Sequence, residues 1–141
     1  MKKTVFGIPL RDLIFICAVV MLVIFLVLSD TSVDIRVNYD EDFLYVTSPR
    51  LNIDIANHDV ACLSLVSVPD LGQLVDGYQH ESYCTGVWKN ELWGEYQLCI
   101  LPALPQCVVV ELVSGEFIVF NCTTEAKTTQ LFESYRNYIR K

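Results

Sequence analysis

QCVVVELVSGEFIVFN, residues 106–121, holds two apolar runs either side of a Ser114-Gly115 pair. A serine–glycine pair between two such runs predicts a β-hairpin closed by a two-residue turn. In that register Val113 opposes Glu116, and Cys107 then opposes Cys122. Facing cysteines on a hydrogen-bonded pair have Cα atoms about 5.5 Å apart, a separation a disulfide can close. Cys107–Cys122 is therefore the first candidate bridge if the domain faces an oxidising space. The alternative is that both are small apolar core residues.

Downstream, the period changes. Leu131, Phe132, Tyr135, Tyr138 and Ile139 fall on one face of a helix over Thr124 to Arg140. Thr124 is a suitable N-cap. Glu125 in the first turn, with Arg136, Arg140 and Lys141 in the last, complements the helix dipole.

Upstream, the segments at Phe43–Thr47, Leu51–Ile55, Val60–Val68, Tyr83–Trp88 and Trp93–Leu101 are short, β-branched or aromatic, and bounded by turn residues. A further candidate strand lies at Ile35–Tyr39. Pro69 to Glu81, with Gly72 and Asp76-Gly77, reads as a long loop. About seven strands followed by one amphipathic helix give a mainly β domain, residues 43–141.

Residues 13–28, LIFICAVVMLVIFLVL, contain no polar side chain apart from the thiol of Cys17. A core helix normally carries a polar stripe, so the expectation is a transmembrane helix over 13–29. Residues 1–12 would then be a cytoplasmic N-terminus and residues 30–42 a juxtamembrane linker. Lys2, Lys3 and Arg11 precede the helix, so the positive-inside bias places the C-terminal domain outside the cell membrane. A cleaved signal peptide is the rival use, but Val27-Leu28-Ser29 is a mediocre cleavage site. Cys17 follows Ile16 within the apolar run, which argues against lipidation there.

Residues 1–29 carry a net charge of +2 and residues 30–141 a net charge of −9. So acidic a domain repels phosphate backbones, which excludes nucleic acid as a partner.

Val66-Ser67-Val68-Pro69-Asp70-Leu71-Gly72, Asp76-Gly77-Tyr78, Cys84-Thr85-Gly86, Gly94-Glu95-Tyr96-Gln97-Leu98 and Gly115 to Cys122 before the helix follow one another in an order that resembles bacterial pleckstrin-homology-like (PH-like) domains. The resemblance covers Asp42 to Arg140. It implies a seven-stranded, partly open barrel capped by the terminal helix, and a binding role. Phosphoinositide-binding relatives use clustered Lys and Arg near the first strands. Here only Arg36 and Arg50 stand among Asp40, Glu41, Asp42 and Asp54, so that ligand is disfavoured.

Five cysteines fall in the domain. Cys84 and Cys99, on neighbouring strands, make a candidate second pair and leave Cys62 over. His80, Cys84, Cys99 and Cys107 lack the tight knuckle spacing of structural zinc sites, so no metal or other cofactor is expected. His80 near Cys84 supports an alternative reading as a thiol-dependent enzyme or redox sensor. Asn121-Cys122-Thr123 fits an N-glycosylation pattern. Trp88 is expected in the core, and Tyr78, with Gly77 and Asp76, at a contact surface. The functional expectation is a membrane-anchored, non-catalytic PH-like module that binds a protein partner or itself.

Overall fold

The computed structural model describes residues 4–5, 8–28 and 33–141. It divides into two units, one ending at residue 32 and one comprising Val33–Lys141.

In the first unit, β1 (Thr4–Val5) pairs antiparallel with β2 (Ile8–Pro9), and α1 runs Leu10–Leu28. Its apolar side chains from Ile14 to Leu26 are largely exposed. Among the described residues no helix is long and apolar enough to cross a membrane. The described side chains of α1 open on Arg11 and Asp12, paired at 3.7 Å. The apolar run of the sequence, residues 13–28, rises about 24 Å at about 1.5 Å per residue, against a hydrocarbon thickness of about 30 Å. This corrects the expected single-pass helix over 13–29, and with it the membrane as an integral partner and the predicted cell-membrane location with an external domain.

The second unit begins inside the segment read as a linker. β3 (Arg36–Tyr39), β4 (Phe43–Thr47) and β5 (Asn52–Ala56) form a three-stranded antiparallel sheet in that order. Leu44, Val46, Ile53 and Ile55 alternate onto its buried face. A single 3-10 turn, Asn57–Asp59, breaks the chain away into a second sheet.

That second sheet has six strands in the order β6 (Val60–Ser67), β10 (Gln106–Leu112), β11 (Phe117–Phe120), β9 (Gly94–Ile100), β8 (Cys84–Asn90), β7 (Gln73–Gln79). α2 (Glu125–Ile139) follows, with the Thr124 hydroxyl accepting from the Lys127 amide. One core cluster joins the inner faces of both sheets to Phe132 and Tyr135 of α2. The other lies on the opposite face of the six-stranded sheet, around Trp88, Tyr96, Leu98, Cys107 and Val119. β10 therefore buries both faces. That is why its Cys107–Val110 run is continuously apolar, where the half-buried β5 alternates.

Among the described residues the seven-stranded barrel is corrected to a mixed α/β arrangement: α1 after the β1–β2 pair, then the nine strands β3 to β11 in two open sheets, then α2. Two features account for the difference. The stretch read as a loop contains β7, and β11 inserts between β10 and β9, running parallel to β9. Strand order of this kind leaves no mark on local periodicity.

The hairpin register is corrected as well. Leu112 N donates to Glu116 O at 2.9 Å and Gly115 N to Leu112 O at 2.8 Å, so the loop is Val113-Ser114-Gly115. Gly115 takes φ +87, the left-handed residue that closes three-residue hairpins. Val108 consequently pairs with Phe120. A one-residue slip moves every side chain to the other face, and Cys107 and Cys122 no longer oppose.

Candidate functional site

Asp76, Gly77 and Tyr78 lie on β7, an edge strand, and share a groove of about 320 Å3 with Arg50 and Leu51 from the β4–β5 turn. The ladder between β7 and β8 shifts at Val75: Leu74 pairs with Trp88 and Asp76 with Val87. The extra residue is a β-bulge, which re-aims the side chains that follow it. Leu74 is thereby turned to the face of Trp88, while Asp76 and Tyr78, two residues apart, share the other face by ordinary strand alternation. Gly77 and Gly86 pair between them, so no side chain intervenes. The Arg50 guanidinium lies 4.2 Å above the Tyr78 ring. Among the described residues neither Arg50 nor Asp76 takes part in an ion pair. Thr85, the cross-strand partner of Tyr78, also contributes to the lining; it is 2% exposed, and its hydroxyl is turned to Tyr83 and Cys99 on the core side.

A second groove, of about 430 Å3, runs between β3 and α2. One wall is Asp34 to Asn38 and the other includes Lys127, Gln130, Leu131 and Ser134. Successive side chains of a strand point to opposite faces, so a wall of five consecutive residues is a strand edge. Arg36 is tied to Asp34 at 2.8 Å, and Thr123 Oγ1 donates to Asp34 at 2.8 Å. These two contacts, the Arg36 bond above all, hold the Asp34 carboxyl below its ordinary range. Lys127 makes no ion pair among the described residues.

The cysteines serve the core. All six are free thiols, which corrects both candidate disulfides. Cys84 faces the Trp88 cluster and Cys99 the opposite core, since Cys84 pairs with Ile100 and Thr85 with Cys99. Cys107 packs beside Trp88, while Cys122 lines the β3–α2 groove. The sheet thus lies between the members of each expected pair. Burial pushes the Cys107 and Cys122 thiols up to about 11, and raises Cys84 and Cys99 too.

The supposed dyad does not assemble for thiolate chemistry. Cys84 Sγ donates to the His80 carbonyl at 3.5 Å, while His80 Nδ1 is engaged with Ser82 and its ring stacks on Tyr78. Among the described residues no three His, Cys, Asp or Glu side chains gather to hold a metal. A buried thiol held neutral alkylates slowly. In the folded chain at neutral pH, only Cys17 and Cys62, both exposed, are expected to label with iodoacetamide within minutes. The other four should label only in denaturant, as peptide mapping by mass spectrometry would report. Fast labelling of Cys84 would restore the thiol-enzyme reading.

Asn121 of the glycosylation pattern is fully buried and spends its amide on main-chain groups, so the folded domain offers no acceptor there. Trp88 sits in the core at 1% exposure. Sequence reasoning treated Arg50 only as a weak cation and gave Lys127 no role. The one available signal was their isolation within an acidic domain.

No family model, curated protein or solved structure matches the chain.

Proposed function

We propose that residues 33–141 form a non-catalytic protein-binding module, which takes an extended segment of a partner as a fourth strand beside β3. The observation that carries this reading is the groove with a strand edge for one wall and the face of α2 for the other. Asp40 N donates to Phe43 O at 2.9 Å, which makes Asp40–Phe43 a hydrogen-bonded pair. Bonded pairs alternate along an antiparallel ladder. Asn38–Tyr45 and Arg36–Thr47 are then bonded, and the main-chain groups of Val37 and Tyr39 point outward. Exposed edges of this kind accept added strands, and flanking side chains supply selectivity. Lys127 gives the groove an unpaired positive charge, favouring a segment that carries a carboxylate. Neutral buried thiols, an engaged His80 and the lack of a metal-holding cluster among the described residues support binding over catalysis.

The test is in-cell photocross-linking from Gln130 and Ser134 in the full chain, read by mass spectrometry and compared with Val37→Pro. Proline removes one outward N–H and is tolerated on edge strands. Adducts to a protein that fall at least about tenfold in the variant, worth about 1.4 kcal/mol, are the expected result. Adducts between copies of the chain would make the added strand its own. Adducts that persist in a folded Val37→Pro chain, or none at all, would defeat the reading.

A further inference from the structure

We propose that the groove between the β4–β5 turn and β7 binds a small zwitterion of the α-amino-acid class. The argument starts from charge. Arg50 and Asp76 line one groove, yet they pair neither with each other nor with another ion among the described residues. In a domain of net charge −8 over residues 33–141, carboxylates are plentiful, and Arg50 nevertheless rests on the Tyr78 ring. That stacking leaves its in-plane N–H donors free, and these suit a carboxylate in a bidentate grip. Asp76, on the same strand face as Tyr78, offers the matching acceptor for an ammonium group.

A second observation concerns the shape of the groove. The paired Gly77 and Gly86 belong to its lining, and Leu51 and Val87 provide an apolar wall for a ligand side chain. The volume of about 320 Å3 lies at the small end of ligand sites. A peptide terminus would satisfy one of the two charges, and a free amino acid satisfies both.

Titration calorimetry on the full chain with a panel of the common α-amino acids tests this. At least one should bind with a Kd below about 1 mM. Its decarboxylated amine and its deaminated acid should each bind at least roughly tenfold more weakly. Arg50→Met should abolish the preference for the amino acid over the amine, and Asp76→Asn the preference over the acid, both with unchanged circular dichroism. Val37→Pro should have no effect, which separates this site from the β3 groove. No binding by any amino acid, equal binding of both half-molecules, or an unaffected Arg50→Met chain would overturn the proposal.

Discussion

Replacing Asn121 by leucine is expected to lower the unfolding free energy by about 4 kcal/mol, read as a fall in the urea midpoint at unchanged slope. The side chain is fully buried and does main-chain work. Its Oδ1 accepts from Leu101 N at 2.8 Å, and its Nδ2 donates to Leu101 O at 3.1 Å and to Gln106 O at 3.4 Å. These bonds clamp both ends of the Pro102–Pro105 reversal between β9 and β10. Leucine restores the bulk but leaves the Leu101 amide and the Gln106 carbonyl unpaired, each costing roughly 1–3 kcal/mol, while the Leu101 carbonyl keeps the Leu104 amide at 3.2 Å. Relaxation and entry of water keep the total below their sum. Asn121→Asp sharpens the test. An ionised carboxylate still accepts from Leu101 N but faces two carbonyls, so its folded pKa lies above the unfolded value. The destabilisation is then fullest above the folded pKa, and is relieved as pH falls through it and the protonated acid donates. A midpoint within about 1 kcal/mol of the parent for Asn121→Leu would show that the clamp is dispensable.

The second large effect is expected at Gly86. Its φ is +110, and an added Cβ would lie 2.2 Å from Asp76 O and 2.6 Å from Gly77 Cα. Gly86→Ala meets a disfavoured conformation, worth about 1–2 kcal/mol, and overpacking against main chain, worth about 1–3 kcal/mol. About 3 kcal/mol of destabilisation follows. Because the clash falls on Asp76 and Gly77, the variant should also lose amino-acid binding where folded protein remains. Gly94→Ala is the control. Its φ is also positive, at +68, but a Cβ there would meet nothing within 4 Å, so it should cost only the conformational part. Equal stability of the two variants would refute the steric argument.

These two positions also show what the sequence made legible. Strand composition placed β4 at Phe43–Thr47, and the helical period placed α2 within a residue of its ends with Thr124 as its cap. Each signal is local and each element supplies one buried face. β7 escaped because it is an exposed edge whose alternation is broken by the bulge at Val75 and by Gly77. It offers no apolar face to detect. The cysteine pairing failed through one residue of turn length, decided by Gly115 in a left-handed conformation. Asp76, Gly77 and Tyr78 were singled out together and do share a groove. Its cation, Arg50, comes from another sheet, and how two sheets dock is not written in the period of either.

The place of β11 governs how the domain comes together in time. Without it the larger sheet falls into halves, β6–β10 and β9–β8–β7, because β9 and β10 touch no common ladder except through β11. Until Phe117–Phe120 dock, the inner rims of both halves present Leu98–Ile100 and Cys107–Val110 as open, apolar strands, ready to pair with the same rims of another molecule. Closure joins a parallel neighbour across an intervening hairpin, a non-local step that makes folding slow. The keystone strand therefore sets a race between intramolecular completion and association, and the yield of refolded domain should fall as the chain is made more concentrated.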